Sequence, residues 1–303
     1  MATKKKTKHE LSKRLESEKA ITNLIPPVKE YLCRVKHSVN LGDAIAALVA
    51  CKKYWEVTGR KIIFSQQINF RAQYYAGATH PTVDENNQNV CVNKPMFDMM
   101  KPLVESQPYI HCFESYDGQP VDLDFDVIRG KTFVGLPNLM IQSWLFYAFP
   151  DLSCDLSKPW ISLPDVKNHP IKKQVFGKAI LNFTERYRND VIDYFFLKSY
   201  APDLIFAGTE TEHYLFCSKW GLDIPRLKVK NFLEYAYAIK YARFFLGNQS
   251  FGWNIAQAMG TPRVVELCRY APNVQPCVGE NSYGFFHQVG VEYYVKKLFN
   301  EFK

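Results

Sequence analysis

One stretch of the sequence, residues 243–266, constrains the fold more than any other. An apolar run at 243–246 ends in the polar, turn-prone segment Gly-Asn-Gln-Ser at 247–250. A helix of small residues is predicted at 253–259, and a second β-rich run begins after Gly-Thr-Pro at 260–262. This order predicts a βαβ unit whose helix begins just beyond the carboxyl end of a strand, where open parallel sheets bind anions and nucleotides. An ordinary crossover without a ligand fits the same pattern.

The remainder of the chain repeats this alternation of apolar β-like runs and helical stretches. Further strands are predicted at 31–36, 61–65, 109–113, 132–134, 178–183, 203–207, 227–230 and, within the first stretch, at 244–246 and 263–267. Further helices are predicted at 43–58, 94–105, 139–148, 190–200, 212–220, 232–242 and 292–303. Strands that are separated by helices of this length indicate parallel sheets built from βαβ units.

A polar, proline-bearing segment at 164–173 divides the pattern into two blocks and is the best candidate for a linker. The sequence therefore predicts an α/β protein with two Rossmann-like, doubly wound domains that face a cleft. We expect a basic tail at 1–27, an N-terminal domain at 28–165, a C-terminal domain at 174–290 and a final helix at 291–303.

The composition excludes several classes of protein. Of the 303 residues 47% are hydrophobic, which is enough for a globular core and too much for a disordered chain. No apolar run is long enough to span a bilayer, and the N-terminal sequence MATKKKTKHE lacks the apolar core of a signal peptide. We therefore expect a cytoplasmic protein, and peripheral association with the inner face of a membrane is left open.

The cysteines and histidines indicate neither disulfides nor a metal site. The eight cysteines are scattered without CxxC pairs, a pattern typical of reduced, buried thiols. The seven histidines form no cluster with ligand spacing, so we expect no metal and no other cofactor. Asp122 and Asp124 have the spacing of a metal-binding pair, but they lie in a polar stretch that we predict to be surface.

The net charge of +8 comes in part from lysines clustered in the N-terminal tail, at positions 4, 5, 6 and 8. Such a tail is often simply solvated. A basic tail also attracts polyanions, including nucleic acid, a lipopolysaccharide-bearing membrane face or a nucleotide-linked substrate. Both interpretations stay open.

The first block begins with a strand that runs through a short turn into a long helix, and the turn contains Gly42 and Asp43. In one interpretation Asp43 is a capping or first-turn acid that is stabilised by the helix dipole. In the other it is a carboxylate at the mouth of the cleft that accepts a proton from an acceptor hydroxyl. A Gly-Asp pair alone does not decide between them.

The second block begins with a strand followed by a hydroxyl and two guanidinium groups, on Thr184, Arg186 and Arg188. Arginine pairs bidentately with phosphate, and a hydroxyl and helix N–H groups add further donors, so this turn favours anion binding over an ordinary charged loop. The next strand ends in Gly208 and Thr209, a turn that either approaches a ligand closely or only reverses the chain.

Taken in order, these elements resemble glycosyltransferase family 9, which contains the ADP-heptose:lipopolysaccharide heptosyltransferases. The family has a Gly-Asp turn in its first domain, matched by Gly42 and Asp43. Its second domain begins with a strand and a turn of threonine and basic residues, similar to 184–188. Its most recognisable segment, Gly-Asn-Asp-Ser/Thr-Gly followed by histidine and Gly-Thr-Pro, aligns without gaps with 247–262.

The resemblance implies a GT-B architecture and a metal-independent glycosyltransferase that moves a sugar from a nucleotide-diphosphate sugar to a hydroxyl acceptor on lipopolysaccharide or another glycan. It makes Asp43 the general base, with Asn40 and Gly42 on the acceptor side. Glu266, at the end of the following strand, is expected to accept hydrogen bonds from ribose hydroxyls. The expected donor-binding residues are Thr184, Arg186, Arg188, Gly208, Thr209, Asn248, Gln249, Ser250, Asn254 and Glu266.

The chain also departs from the family pattern, which indicates a divergent member and leaves a phage origin open. Gln249 stands where the family has an acid, Phe251 where it has a glycine, and Asn254 where it has a histidine. These changes remove a charge and a titratable group, so heptose is not assumed as the donor sugar, and both the sugar and the nucleotide stay open. They also keep other functions open: glycosylation of modified DNA bases, nucleotide-sugar binding without transfer, and epimerisation of the donor. The sequence does not predict the oligomeric state.

Overall fold

The structure, a computed structural model, describes residues 32–72, 82–129, 141–271 and 279–302. The predicted basic tail at 1–27, the predicted strand at 132–134 and the first residues of the helix predicted at 139–148 lie outside the described residues. The residues from Cys33 onward belong to one compact unit, Cys33–Lys303.

The first half of this unit contains a parallel sheet of four strands in the order β3-β2-β1-β4. Its first helix is buried over most of its first three turns, because it carries an almost unbroken run of small and branched apolar residues, Ala44 to Cys51. The elements are β1 (Cys33–His37), α1 (Leu41–Thr58), β2 (Ile62–Gln66), α2 (Lys94–Glu105), β3 (Ile110–Ser115), β4 (Leu123–Asp124), α3 (Ile141–Ala148) and α4 (Lys172–Val175).

The second half contains a parallel sheet of six strands in the order β10-β9-β8-β5-β6-β7. The central strands β5, β6, β8 and β9 are buried along their whole length, as expected for a parallel sheet that is covered on both faces. The elements are β5 (Ala179–Asn182), β6 (Leu204–Ala207), α5 (Glu210–Trp220), β7 (Arg226–Leu227), α6 (Phe232–Tyr241), β8 (Phe244–Asn248), α7 (Phe251–Ala258), β9 (Arg263–Glu266), β10 (Ser282–Phe285) and α8 (Gln288–Glu301).

The α/β architecture with parallel sheets is confirmed, and most described elements lie within a few residues of their predicted positions. The helix predicted at 190–200 is wrong in type and position, since the structure has a 3-10 helix at Phe195–Asp203 with Pro202 inside it. Proline lacks the N–H that an α-helix interior requires. Two short strands at sheet edges, β4 and β10, were not predicted from the sequence.

One continuous cluster of buried apolar residues spans both halves of the unit. Within this cluster, Trp160 connects the two halves through hydrogen bonds. Its indole Nε1 donates to the carbonyl of Ile45 in α1 at 2.8 Å, and its backbone N–H donates to the carbonyl of Ala258 in α7 at 2.9 Å. The predicted linker at 164–173 also packs onto the protein, with the ring of His169 stacked on Tyr237 at 4.3 Å. The proposed domain boundaries at 165 and 174 stay a prediction.

All cysteines among the described residues are free, as the sequence indicates. Burial raises the pKa of the Cys51 thiol well above its usual value, so this thiol is unreactive. Cys277 lies outside the described residues. Across the described ranges, no group of three or more His, Cys, Asp or Glu side chains has an arrangement that would hold a metal ion. None of the helices described here has the length and apolar character needed to cross a bilayer.

Candidate functional site at the N-termini of α1 and α7

Helices α1 and α7 meet at their first turns, and this contact brings the two halves of the predicted site together. A Cβ atom at Gly42 would lie only 3.0 Å from Nδ2 of Asn254, so the absence of a side chain is what allows this close approach. Both helices begin beyond the carboxyl ends of parallel strands, the edge where α/β proteins bind ligands. The predicted acceptor side and donor side are therefore neighbours.

Asp43 lies in the first turn of α1, after Asn40 at the N-cap position, and not at the N-cap itself. Its Oδ2 accepts a hydrogen bond from Nη2 of Arg129 at 2.9 Å, and the two side chains are 18% and 28% exposed. This ion pair fixes one carboxylate oxygen at the rim of the first sheet. Arg129 was not predicted as a site residue, because it lies 86 residues from Asp43 in the sequence and follows no motif.

Two further polar residues, His37 and Ser38, stand at the end of β1 beside this ion pair. Ser38 donates its hydroxyl to Oδ2 of Asp126 at 2.5 Å, and its backbone N–H donates to Oδ1 of the same carboxylate at 3.0 Å. His37 is 3% exposed and contacts Oε1 of Gln66 through Nδ1 at 2.8 Å. The signal in the sequence was two polar residues directly after the predicted strand at 31–36.

Burial lowers the pKa of His37 below its usual value of 6.5. The carboxylate of Asp126 opposes this shift, and the guanidinium of Arg129 reinforces it. The His37 imidazole is therefore neutral at physiological pH.

On the donor side, Asn248 at the end of β8 holds the turn that contains the predicted anion-binding residues. Its Nδ2 donates to the carbonyl of Thr184 at 2.9 Å and to that of Arg186 at 2.6 Å, while its Oδ1 accepts from the Thr184 backbone N–H at 3.2 Å. Asn248 is fully buried. In the same turn Tyr187 has a left-handed φ of 57°, which is strained for a bulky residue. The bonds from Asn248 fix the backbone of the residues that precede Tyr187.

Glu266 at the end of β9 is fully buried and occupied on both oxygens. Oε2 accepts from the hydroxyl of Tyr194 at 2.6 Å, and Oε1 accepts from the backbone N–H of Asn189 and from Nε of Arg188 at 3.4 Å. Arg188 also lies over the ring of Phe183 at 5.1 Å. This carboxylate anchors the 188–189 segment. Its predicted contact with a ribose remains a prediction.

The two residues that replace the acid and the histidine of the motif both face inward. Gln249 accepts a hydrogen bond from the backbone N–H of Cys268 at 2.7 Å and donates to the carbonyl of Ala271 at 3.2 Å. Asn254 donates to the carbonyl of Ser250 at 3.0 Å. Both amides bond to neighbouring backbone, so the departures from the motif supply internal support for the segments around α7.

Three solved glycosyltransferase structures are similar to this chain. E. coli ADP-heptose LPS heptosyltransferase II has 13% identity and a TM-score of 0.57, over 89% of this chain and 99% of that one. The family 9 glycosyltransferase from Veillonella parvula DSM 2008 has 11% identity and a TM-score of 0.54, over 91% of this chain and 99% of that one. The E. coli heptosyltransferase WaaC with ADP has 9% identity and a TM-score of 0.53, over 88% of this chain and 99% of that one. The chain has the GT-B fold of these proteins. No protein-family model matches the sequence, nor does any curated protein sequence.

Within this GT-B fold, Ser250 connects α7 to β5. Its hydroxyl donates to Oδ1 of Asn182 at 2.9 Å, and Nδ2 of Asn182 donates to the carbonyl of Ala207 at 2.6 Å. Asn182 thus ties the ends of two strands to the start of α7. Asn182 was predicted to lie in the strand at 178–183 but was not predicted as a site residue.

Gly208 and Thr209 lie at the end of β6, and the structure gives Thr209 a clear local role. Thr209 is the N-cap of α5: its hydroxyl accepts from the backbone N–H of Glu212 at 3.2 Å. Glu212 completes a capping box by accepting from the Thr209 N–H at 2.8 Å. These bonds account for the Gly-Thr turn without a ligand, and its contact with the donor stays a prediction.

Replacing Gly252 in α7 with alanine is expected to destabilise the GT-B fold by about 1–3 kcal/mol, because the site is already filled. An added Cβ would overlap the Tyr235 hydroxyl and would lie only 2.7 Å from Oδ1 of Asn182. The Tyr235 hydroxyl is buried and has no hydrogen-bond partner among the described residues. Tyr235→Phe in the Gly252→Ala background should therefore recover part of the free energy of unfolding in urea. If the changes in free energy of unfolding of the two single variants simply add in the double variant, this explanation is contradicted.

Proposed function

We propose that this protein is a glycosyltransferase that moves a sugar from a nucleotide-diphosphate sugar to a hydroxyl group of a glycan acceptor. The observation that carries the proposal is the position of Asp43, a partly exposed carboxylate, directly after Gly42, which contacts Asn254 in the first turn of α7. The GT-B fold agrees, since the similar structures are described as heptosyltransferases and one of them contains ADP.

In this proposal the donor lies against the second sheet. The diphosphate contacts the side chain of Arg186, the terminal amino groups of Arg188 and the N–H groups at the start of α7, which together stabilise the negative charge of the leaving diphosphate. Asn248 and Glu266 act by holding the Thr184–Arg188 turn in place, as their hydrogen bonds indicate.

The acceptor lies against the first turn of α1. Asp43 takes the proton of the acceptor hydroxyl while the hydroxyl oxygen bonds to the anomeric carbon and the bond from that carbon to the diphosphate breaks. Arg129 holds Oδ2 of Asp43, which orients the carboxylate. We further propose that transfer needs no metal, because arginines and helix N–H groups supply the positive charge at the diphosphate. Activity in EDTA would test this point.

The proposed function is tested by a panel of ADP-, UDP-, GDP- and CDP-sugars. We expect at least one of them to raise the melting temperature of the protein and to be hydrolysed slowly in the absence of an acceptor, since water then takes the place of the hydroxyl. Stabilisation without turnover in any glycan mixture would indicate a binding protein. An epimerised sugar on intact nucleotide would indicate an epimerase, and a panel without either effect would end the nucleotide-sugar proposal.

The same nucleotide sugars, offered together with hydroxymethylated DNA as the acceptor, test the nucleic-acid alternative. A DNA-modifying enzyme would show transfer to hydroxymethylated DNA, and its retention on a DNA column would fall steeply with salt. Transfer to a glycan together with retention that is indifferent to salt would exclude that alternative.

A further inference from the structure

The cluster around Asp43 contains a histidine whose tautomer follows from its neighbours. Nε2 of Gln66 donates to the carbonyls of Val39 and Gln67, both at 3.1 Å, and this fixes the orientation of the Gln66 amide. Oε1 of Gln66 therefore faces Nδ1 of His37, at 2.8 Å. Because an amide oxygen only accepts hydrogen bonds, Nδ1 must carry the proton. Nε2 of His37 then carries a lone pair and acts only as an acceptor.

This acceptor is buried and has no hydrogen-bond partner among the described residues. Nε2 lies on the side of the ring away from Gln66, and Asp126, Arg129 and Asp43 all act electrostatically on the ring. Nε of Arg129 is likewise buried without a partner within the described part of the chain. The cluster thus contains one acceptor and one donor without a partner among the described residues. Each such buried polar group costs about 1–3 kcal/mol of stability, which a ligand hydrogen bond would recover.

The surrounding charges determine what kind of group fits. The lone pair of His37 and the carboxylates of Asp43 and Asp126 disfavour an anion. The guanidinium of Arg129 and the ammonium of Lys36, 3.2 Å from Oδ2 of Asp126, disfavour a cation. A hydroxyl group is neutral and is both a donor and an acceptor. Asp43 and Arg129, 18% and 28% exposed, form the solvent-exposed edge of the cluster, whereas His37 is 3% exposed.

We propose that His37 and Arg129 together hold a second hydroxyl group of the acceptor, next to the hydroxyl that Asp43 deprotonates. The second hydroxyl donates to Nε2 of His37 and accepts from Nε–H of Arg129. His37 is then a specificity-determining residue and not a second base, because its buried imidazole disfavours the charged form. This inference rests on the proposed function.

The proposal identifies the acceptor as a polyol. A sugar presents neighbouring hydroxyls that fill both positions, whereas a hydroxymethylated base in DNA offers one free hydroxyl at the reacting carbon. The rejection of an acceptor that lacks a hydroxyl is expected to be strong, because the site would be left with unpaired polar groups. The geometry thus favours a glycan over modified DNA.

The first test uses the wild-type protein labelled with ¹⁵N-histidine and methyl hexopyranosides as probes. We expect the His37 resonances to show a protonated Nδ1 and an unprotonated Nε2, with titration only below pH 6.5. At least one hexopyranoside should shift the Nε2 resonance, and its monodeoxy form lacking the bound hydroxyl should not. A protonated Nε2, or a resonance that no glycoside moves, would overturn the proposal. This measurement needs no donor, so it stands even if sugar transfer is not observed.

The second test uses the donor and glycan found in the panel experiment. His37→Phe should raise the acceptor KM by about ten- to a hundredfold, with little change in kcat or donor KM, because a ring without an acceptor nitrogen leaves the hydroxyl unpaired. His37→Gln, which keeps an acceptor oxygen near the position of Nε2, should restore most of the affinity. An unchanged KM in His37→Phe would refute the role of His37 and leave the glycosyltransferase proposal intact. If His37→Phe does not fold, His37→Gln and the NMR measurement still decide.

Discussion

Asp43→Asn is expected to lower kcat for sugar transfer by about a hundred- to ten-thousandfold, the usual contribution of a general base. Asparagine has nearly the shape of aspartate, and its amide oxygen still accepts the hydrogen bond from Arg129. The first turn of α1 and its contact with α7 should therefore persist. The measurements are kcat, the donor KM and the rise in melting temperature that the donor causes. Only kcat should change, and the other two quantities should stay near their wild-type values.

A matched control is Asp98→Asn in α2. Asp98 pairs with Lys94 at 2.5 Å and is 52% exposed, so the variant removes a carboxylate of similar charge from outside the proposed site. We expect wild-type kcat from this control. If Asp43→Asn transferred sugar as fast as the wild type, Asp43 would not be the base. That result would not contradict the GT-B fold or the proposed donor site.

The sequence predicted the fold well because the fold depends on a local signal. Buried parallel strands must be continuous apolar runs, and the helices between them must be long enough to cross back over the sheet. Strands such as β5 and β8 carry this signal within four or five residues. The edge strand β4 has only two residues and carries no such signal, so it could only be found in the structure.

The candidate site was less predictable, because its contacts join residues that are far apart in the sequence. Arg129 lies 86 residues from Asp43, and Glu266 lies 78 residues from Arg188. Residue type also does not reveal the direction of a side chain. Asn248 was predicted to bind the donor, and its amide is bonded to the 184–186 backbone.

Gln249 illustrates the same limit at the departure from the family motif. The sequence shows only that a charge is missing at this position. The structure shows that an uncharged amide is what the position requires here, since it must accept from the Cys268 N–H and donate to the Ala271 carbonyl. A carboxylate would satisfy the first bond and not the second. We therefore attribute the departure to internal support.

Glu266→Ala is expected to reduce the free energy of unfolding by about 3–5 kcal/mol, the cost of removing one partner of a buried ion pair. The change leaves Arg188, the Asn189 N–H and the hydroxyl of Tyr194 without their acceptor in the core. Urea unfolding measures this loss. Tyr194→Phe removes one of the three bonds alone, and we expect it to cost about 0.5–1.5 kcal/mol.

Glu210→Ala provides a control with the same two residue types. Glu210 pairs with Arg226 at 3.5 Å, nearly the distance of the buried pair, but its side chain is 87% exposed, whereas that of Glu266 is fully buried. An exposed ion pair contributes about 0–1 kcal/mol, so the two alanine variants should differ by several-fold in their effect on stability. If Glu266 instead served only to bind ribose, Glu266→Ala would unfold like the wild type and lose donor affinity. If, without donor, Glu266→Ala loses more free energy of unfolding than Glu210→Ala does, then Glu266 holds the Arg188–Asn189 segment.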